Sequence, residues 1–199
     1  QPLISVTGVG KMKKENLRTV SQIRPDQDII VTKWIGLEAT TILAKEKEDE
    51  LKKRFPAVLI DTAKDFDQYL SVVPESRIAV EHGVSSMHDI TEGGIFGAFW
   101  EMASGAGVGL EVDLKKIPIR QETVEICNYF RVNPYQIMSS GSMMIAADDG
   151  HELVRKLEQA GIHAVVGRTN SGNDRILRNG EDVRYLDKPQ PDELYKVMG

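Results

Sequence analysis

The chain has a single cysteine, few aromatic residues, no long apolar run and no surplus of positive charge, and each shortage closes off a class of protein. One cysteine, Cys127, among 199 residues excludes an internal disulfide framework and suits a reducing, cytoplasmic setting. The longest apolar stretches, such as Met143–Ala147, fall far short of the roughly 20 residues that a membrane helix needs. No signal-peptide pattern is visible. A net charge of −5 argues against a protein that grips nucleic-acid backbone, which carries a basic face; the cluster Lys11, Lys13, Lys14 and Arg18 reads as solvated surface. The four histidines, at 82, 88, 151 and 163, show no metal-ligand spacing, so no metal site is expected within the chain. Gly105–Gly109 lacks the Lys-Ser/Thr of a P-loop, and Ser139-Ser140-Gly141 lacks the Gly-x-Ser-x-Gly pattern of a nucleophile elbow. Internal repeats and low-complexity segments are absent.

What is present suits one domain, or one large domain with a short appendage, since 41% of the residues are hydrophobic and 28% charged. Leu3–Val6 reads as a short strand, followed by a charged connection over Lys11–Ile23. Ile29–Thr32 is β-branched and expected to be a buried strand. Gly36 opens an amphipathic helix, and the alternating charges of Lys45–Arg54 form a solvated helix face. Phe66–Val73 reads as helical, Pro74 restarts the helix, and Gly83 stops it. A helix from the 90s to near Ser104 gives way to a flexible joint at Gly105, Gly107 and Gly109. The strand Leu110–Leu114, the helix around Val124–Phe130, the buried strand Met143–Ala147, the helix Leu153–Ala160 and the strand Ile162–Val166 follow. Gly167–Asn173 reads as a polar loop. Asn179-Gly180 is the strongest hairpin signal, and a final helix is expected over Asp192–Val197. Helices and strands intermixed, with a terminal hairpin, favour an α+β fold: a mixed β-sheet covered by helices.

The stretch with the most chemistry is His88-Asp89-Ile90-Thr91-Glu92-Gly93-Gly94. Two glycines at the start of a helix cost roughly 1 kcal/mol each against alanine, so something requires bare backbone there. Free N–H groups and a positive dipole end make such a start an anion seat, which points to phosphate over Gly93-Gly94. A capping box, with Asp89 as N-cap and Glu92 three residues on, accounts for the same spacing. His88-Asp89 would set an imidazole and a carboxylate beside that phosphate, although adjacent residues often point apart. Ser139, Ser140 and Gly141 would supply hydroxyls or amides to a ligand, or form a plain turn. Cys127 lies mid-helix on the apolar side and reads as a structural thiol.

The run Met87–Ala98 resembles the second-domain signature of the aminoimidazole ribonucleotide synthetase superfamily, which includes the hydrogenase expression/formation (maturation) proteins. Asp28-Ile29-Ile30-Val31 with Gly36, Val108–Val112 and Ile117–Arg120 resemble neighbouring segments of that family in the same order. Glu125-Ile126-Cys127, Asn133-Pro134-Tyr135 and Ser139–Met144 are similar to the maturation branch. Ile90 stands where that branch usually has proline, and the chain ends Val197-Met198-Gly199 without the C-terminal cysteine of that branch.

The resemblance implies a C-terminal domain over residues 24–199, with residues 1–23 as the last strand of a truncated N-terminal domain and its connection. It implies an ATP-dependent enzyme that activates an amide or carbonyl oxygen by phosphorylation; a non-catalytic nucleotide-binding or assembly domain is the alternative. ATP and magnesium would be held mainly by the absent N-terminal domain. Asp89 and Thr91 would be the catalytic pair, with His88, Gly93, Gly94, Ser139, Ser140 and Gly141 on the phosphate or substrate. Expected partners are ATP or a small phosphorylated substrate, a second copy in a full-length homodimer, and maturation proteins, with no nucleic acid and no membrane.

Overall fold

The computed structural model describes residues 5–158, 161 and 163–199. Among these, seven strands form one sheet: β1 (Asp28–Thr32), β2 (Ser86–Asp89), β3 (Gly109–Asp113), β4 (Met143–Ala147), β5 (His163–Asn170), β6 (Arg175–Asn179) and β7 (Asp182–Tyr185). Their order is β2-β4-β1-β5-β3-β6-β7. Every pairing is antiparallel except the parallel pair β3 and β6. This is the mixed α+β sheet expected from the intermixed strands and helices.

Period-two alternation sorts β1 between two cores. Ile29 and Val31 face one side and Ile30 the other, all fully buried. Helix α5 (Gly94–Ala106) covers the first face, where Ile95, Ala98, Phe99 and Met102 pack on Ile29, Val31, Met144, Ala146 and Val112. Helices α4 (Val73–His82) and α7 (Gly150–Leu157) cover the other face, with Ala79, Leu153 and Leu157 against Ile30, Met143 and Ile145. A third cluster lies among α1 (Leu37–Glu46), α3 (Ala57–Lys64) and α6 (Gln121–Phe130), and holds Cys127 fully buried. Between α1 and α3 a single turn, α2 (Glu48–Leu51), keeps its charges outward, where Glu48 pairs with Lys52 and Lys64. Those two ammonium groups hold the Glu48 carboxyl down at about 2. The chain closes on α8 (Tyr195–Met198).

Several expectations need correction. The strand expected at Leu3–Val6 is not formed over Ser5 and Val6, which are exposed coil; Leu3 and Ile4 lie outside the described residues. Phe66 starts no α-helix: Asp65–Tyr69 is a tight 3-10 turn, and the helix begins at Val73 with Pro74 in its first turn, where a missing N–H costs nothing. The joint at Gly105–Gly109 is not loose. Helix α5 runs on to Ala106, and a Cβ on Gly109 would sit 2.9 Å from the Asp174 carbonyl, so that glycine permits close packing. The polar run Gly167–Asn170 is no loop but the second half of β5, its backbone paired to β1 on one side and β3 on the other. Ala160 and Ile162, expected in a helix and a strand, lie outside the described residues.

Candidate functional site

The pairing of β2 with β4 decides where the candidate residues meet. Asp89 lies opposite Met143, so the turn leaving β2 and the turn entering β4 share one end of the sheet. Backbone bonds then join the two turns: Ile90 N–H donates to the Ser142 carbonyl at 3.0 Å, and Ser139 N–H donates to that of Thr91 at 3.3 Å. Farther on, Phe96 N–H donates to the Tyr135 carbonyl at 3.1 Å, and the two rings stack at 5.2 Å. The structure thus brings together His88–Gly94 and Ser139–Gly141, fifty residues apart in the chain.

Within that assembly the residues have different surroundings. Asp89 and Thr91 are exposed, Gly93 and Ser140 half-buried. His88 is half-buried and its ring is engaged on both sides: Nδ1 donates to the Asp89 carbonyl at 2.5 Å, and Nε2 lies 3.2 Å from Glu101 Oε2. Ser139 is fully buried; its hydroxyl donates to the Ile137 carbonyl at 2.7 Å and accepts the Gly36 N–H at 2.8 Å. Gly141 has φ +101, and a Cβ there would stand 2.9 Å from the Tyr69 carbonyl. Ser139 and Gly141 therefore tie the β4 turn to α1 and to the 3-10 turn at Tyr69.

The capping box is not formed. Helix α5 begins at Gly94, and its N-cap is Gly93 at φ +79. Asp89 is the last residue of β2, four positions too early to cap. Glu92 accepts instead from the Tyr195 hydroxyl at 2.9 Å, which raises the Tyr195 pKa. Gly93 and Gly94 both take left-handed φ values, which side chains other than glycine adopt only at a cost. Gly94 is also wedged: a Cβ on it would lie 2.7 Å from the Tyr135 carbonyl and 2.8 Å from Ile137 N and O. The loop before β4 is thus one thing that requires bare backbone at Gly94.

The Gly93 amide has a partner that local sequence could not show. It donates at 2.7 Å to Oδ2 of Asp192, ninety-nine residues away. Asp192 is only 2% exposed, and its Oδ1 accepts the Leu194 N–H at 2.9 Å. The expected helix over Asp192–Val197 shortens to α8 because Asp192 is spent on this contact and not inside a helix.

Two further features lie away from the turn. A cleft of about 470 Å³ on β1, β3, β5 and β6 is lined by Asp26, Asp28, Glu111, Arg168 and Arg178, but Arg178 pairs with Glu111, whose pKa it lowers, and Arg168 lies 3.9 Å from Asp28. Its opposite charges already serve one another. Just beyond β1, Lys33 is almost fully buried at φ +53; its ammonium lies 2.6 Å from Glu75 and donates at 2.7 Å to the Ser71 carbonyl. Neither Lys33 nor Glu75 stood out in the sequence.

The chain is similar in sequence and fold to known proteins. Residues 24–178 match the family described as AIR synthase related protein, C-terminal domain, and the chain belongs to that family. It is 29% identical to phosphoribosylformylglycinamidine synthase subunit PurL of Methanopyrus kandleri, over 92% of this chain and 25% of that protein. It is 26% identical to carbamoyl dehydratase HypE of Rhodobacter capsulatus, over 98% of this chain and 57% of that protein. A crystal structure of hydrogenase maturation protein HypE in complex with ATP superposes with a TM-score of 0.70 at 14% identity, over 93% of this chain and 57% of that one. The chain therefore spans a quarter to little more than half the length of these relatives. No described helix is long and apolar enough to cross a membrane.

Proposed function

We propose that this chain forms one wall of an ATP cleft in an enzyme that activates an amide or carbonyl oxygen by phosphorylation, the other wall coming from a second domain. The observation that carries the reading is the turn Asp89–Gly93, which exposes Asp89, Thr91 and Glu92 at the sheet end and is stiffened by its bonds to the Ser139–Ser142 turn, in a chain of this family. The length of chain that the relatives have beyond this one leaves room for a second wall.

In the chemistry proposed, the amide oxygen attacks the γ-phosphorus and ADP leaves. The carbon–oxygen bond then breaks and the oxygen departs as inorganic phosphate, while the adjoining nitrogen gives up its protons to solvent and its electrons make the further carbon–nitrogen bonds. Little covalent work falls to the protein, so positioning and charge neutralisation carry the rate. Thr91 Oγ1 donates to a phosphate oxygen or developing oxyanion, Asp89 orients the substrate amide, and Ser140 meets the phosphate. His88 keeps Asp89 in place through its bond to the Asp89 carbonyl. Magnesium usually rests on one or two carboxylates and the nucleotide phosphates. Asp89 would give it at most one ligand, the others coming from the nucleotide and the second wall. A homodimer and a maturation partner protein belong to the same proposal.

The alternative, a nucleotide-binding or assembly domain without turnover, draws on one observation: the Gly93 amide is already held by Asp192. Calorimetry separates the cases. ATP with magnesium is expected to bind weakly to this chain alone and tightly when the chain is joined to the second domain; tight binding to the chain alone would contradict the shared cleft. Phosphate release by the joined protein in the presence of candidate amides supports the enzyme, and ATP binding without release supports the alternative.

A further inference from the structure

We infer that β7 is a self-pairing edge, joining two copies of this chain into one continuous sheet through an antiparallel β7–β7 contact centred on Val183. The inference does not depend on the ATP cleft, whose turns leave β2 and enter β4 at the far side of the sheet. Among the described residues the outer strands are β2 and β7. The 3-10 turn Val20–Gln22 lies against β2, whereas all four residues of β7 are exposed. Leu186 N–H donates inward to the Arg175 carbonyl at 2.8 Å, and bonding of this kind alternates along an antiparallel strand. Asp182 and Arg184 therefore bond to β6, and the N–H and C=O groups of Val183 and Tyr185 point outward. Such a row of free groups is a template for another strand unless proline, a bulge or repelling charge guards it. β7 has no proline, pairs with β6 in unbroken register, and carries one charge of each sign.

Charge selects both the partner and the register. Directly opposed residues of an antiparallel pair share a face, so the two-fold axis must pass through one residue of β7. An axis through Val183 sets Asp182 opposite Arg184 of the second copy, and Arg184 opposite its Asp182. The two Val183 residues then exchange N–H···O=C bonds, and Tyr185 lies diagonally over Val183 of the second copy. Val183 and Tyr185 are 49% and 68% exposed and share their face with Ile176, which pairs with Tyr185. An axis through Asp182 or Arg184 would oppose like charges, and one through Tyr185 would carry the pairing past the end of the strand. Within one chain Arg184 already donates to Asp182 at 3.0 Å, so pairing closes these groups into a ring of alternating charge.

The test is sedimentation equilibrium of the 199-residue chain over a concentration series from micromolar to millimolar. The parent is expected to show a reversible monomer–dimer equilibrium, weak because the interface is small. Asp182→Arg and Arg184→Asp each set like charges opposite one another twice, and each should weaken the dimer about tenfold or more. Combining the two substitutions restores opposite charges in this register alone and should restore the parent's dimer. Val183→Pro removes the outward N–H while sparing the bonds to β6, so it should be monomeric with an unchanged circular dichroism spectrum. A parent that stays monomeric throughout, or a dimer that survives every variant, would overturn the inference. A double variant no stronger than the single ones would overturn the register centred on Val183. The charge variants alter only exposed side chains, so they decide the matter if Val183→Pro disturbs the hairpin.

Discussion

Replacing Gly94 by alanine tests what the paired glycines are for. At φ +62 an alanine pays roughly 1–2 kcal/mol for the left-handed backbone. Its Cβ would also stand 2.7–2.8 Å from three backbone atoms of Tyr135 and Ile137, inside any real contact distance. Backbone cannot turn aside as a side chain can, so the loop must shift and strain the Phe96–Tyr135 bond. Overpacking of this kind costs about 1–3 kcal/mol. Gly93→Ala pays the same backbone cost at φ +79, but its Cβ would meet nothing nearer than Gly97 Cα at 3.8 Å. The difference between the two variants is therefore the crowding alone, about 1–3 kcal/mol, or about 2–12 °C of melting temperature at 2–4 °C per kcal/mol for a chain of this size. Thermal denaturation followed by circular dichroism measures it. Equal melting of Gly93→Ala and Gly94→Ala would refute the claim that the Tyr135–Ile137 loop requires the bare backbone.

Other predictions bear on the scaffold. Glu75→Ala strands the buried Lys33 ammonium and should destabilise by about 3–5 kcal/mol, whereas Lys33→Met with Glu75→Leu should cost less than Glu75→Ala alone; urea unfolding of the parent and the two variants decides this, and a double variant no more stable than Glu75→Ala would contradict it. Burial pushes the Cys127 thiol up to about 12, so it should resist maleimide at pH 8 in the folded chain and react once unfolded; rapid native labelling would show that α6 opens. Because the folded value lies above that of an unfolded thiol, this group's contribution to stability is complete below pH 9 and is lost as pH rises from 9 toward 12. Cys127→Ala should flatten that part of the stability profile, as read by chemical denaturation at pH 8 and pH 10.

How much of this was legible depended on how local each cause was. The β-branched run Ile29–Thr32, the buried run Met143–Ala147 and the Asn179-Gly180 turn carry their reasons within a few residues, and each became the element expected. Helix α3 was overlooked although Pro56 precedes an apolar run at its first helical turn. Gly167–Asn170 looked like a loop because polar residues dominate it, yet pairing with β1 and β3 supplies what its side chains do not. At the site, the sequence placed the right turns but not their duties. Ser139 and Gly141 are visible as small residues, while their burial against Gly36 and Tyr69 comes only from the fold. The capping role given to Asp89 failed because two left-handed glycines delay the helix, and the true partner of the Gly93 amide lies ninety-nine residues on.

The central claim is that the turn Asp89–Gly93 is the working edge of a cleft completed by another domain. Its most direct test is phosphate release from ATP by the protein that joins this chain to the second domain, comparing the parent with Asp89→Asn and Thr91→Ala. Both side chains are exposed and neither is needed for packing, so both variants should keep the parent's melting temperature. Release should fall by about 10²-fold or more if these groups stabilise the transition state. Release unchanged in both folded variants would contradict the assignment of the turn to the reaction.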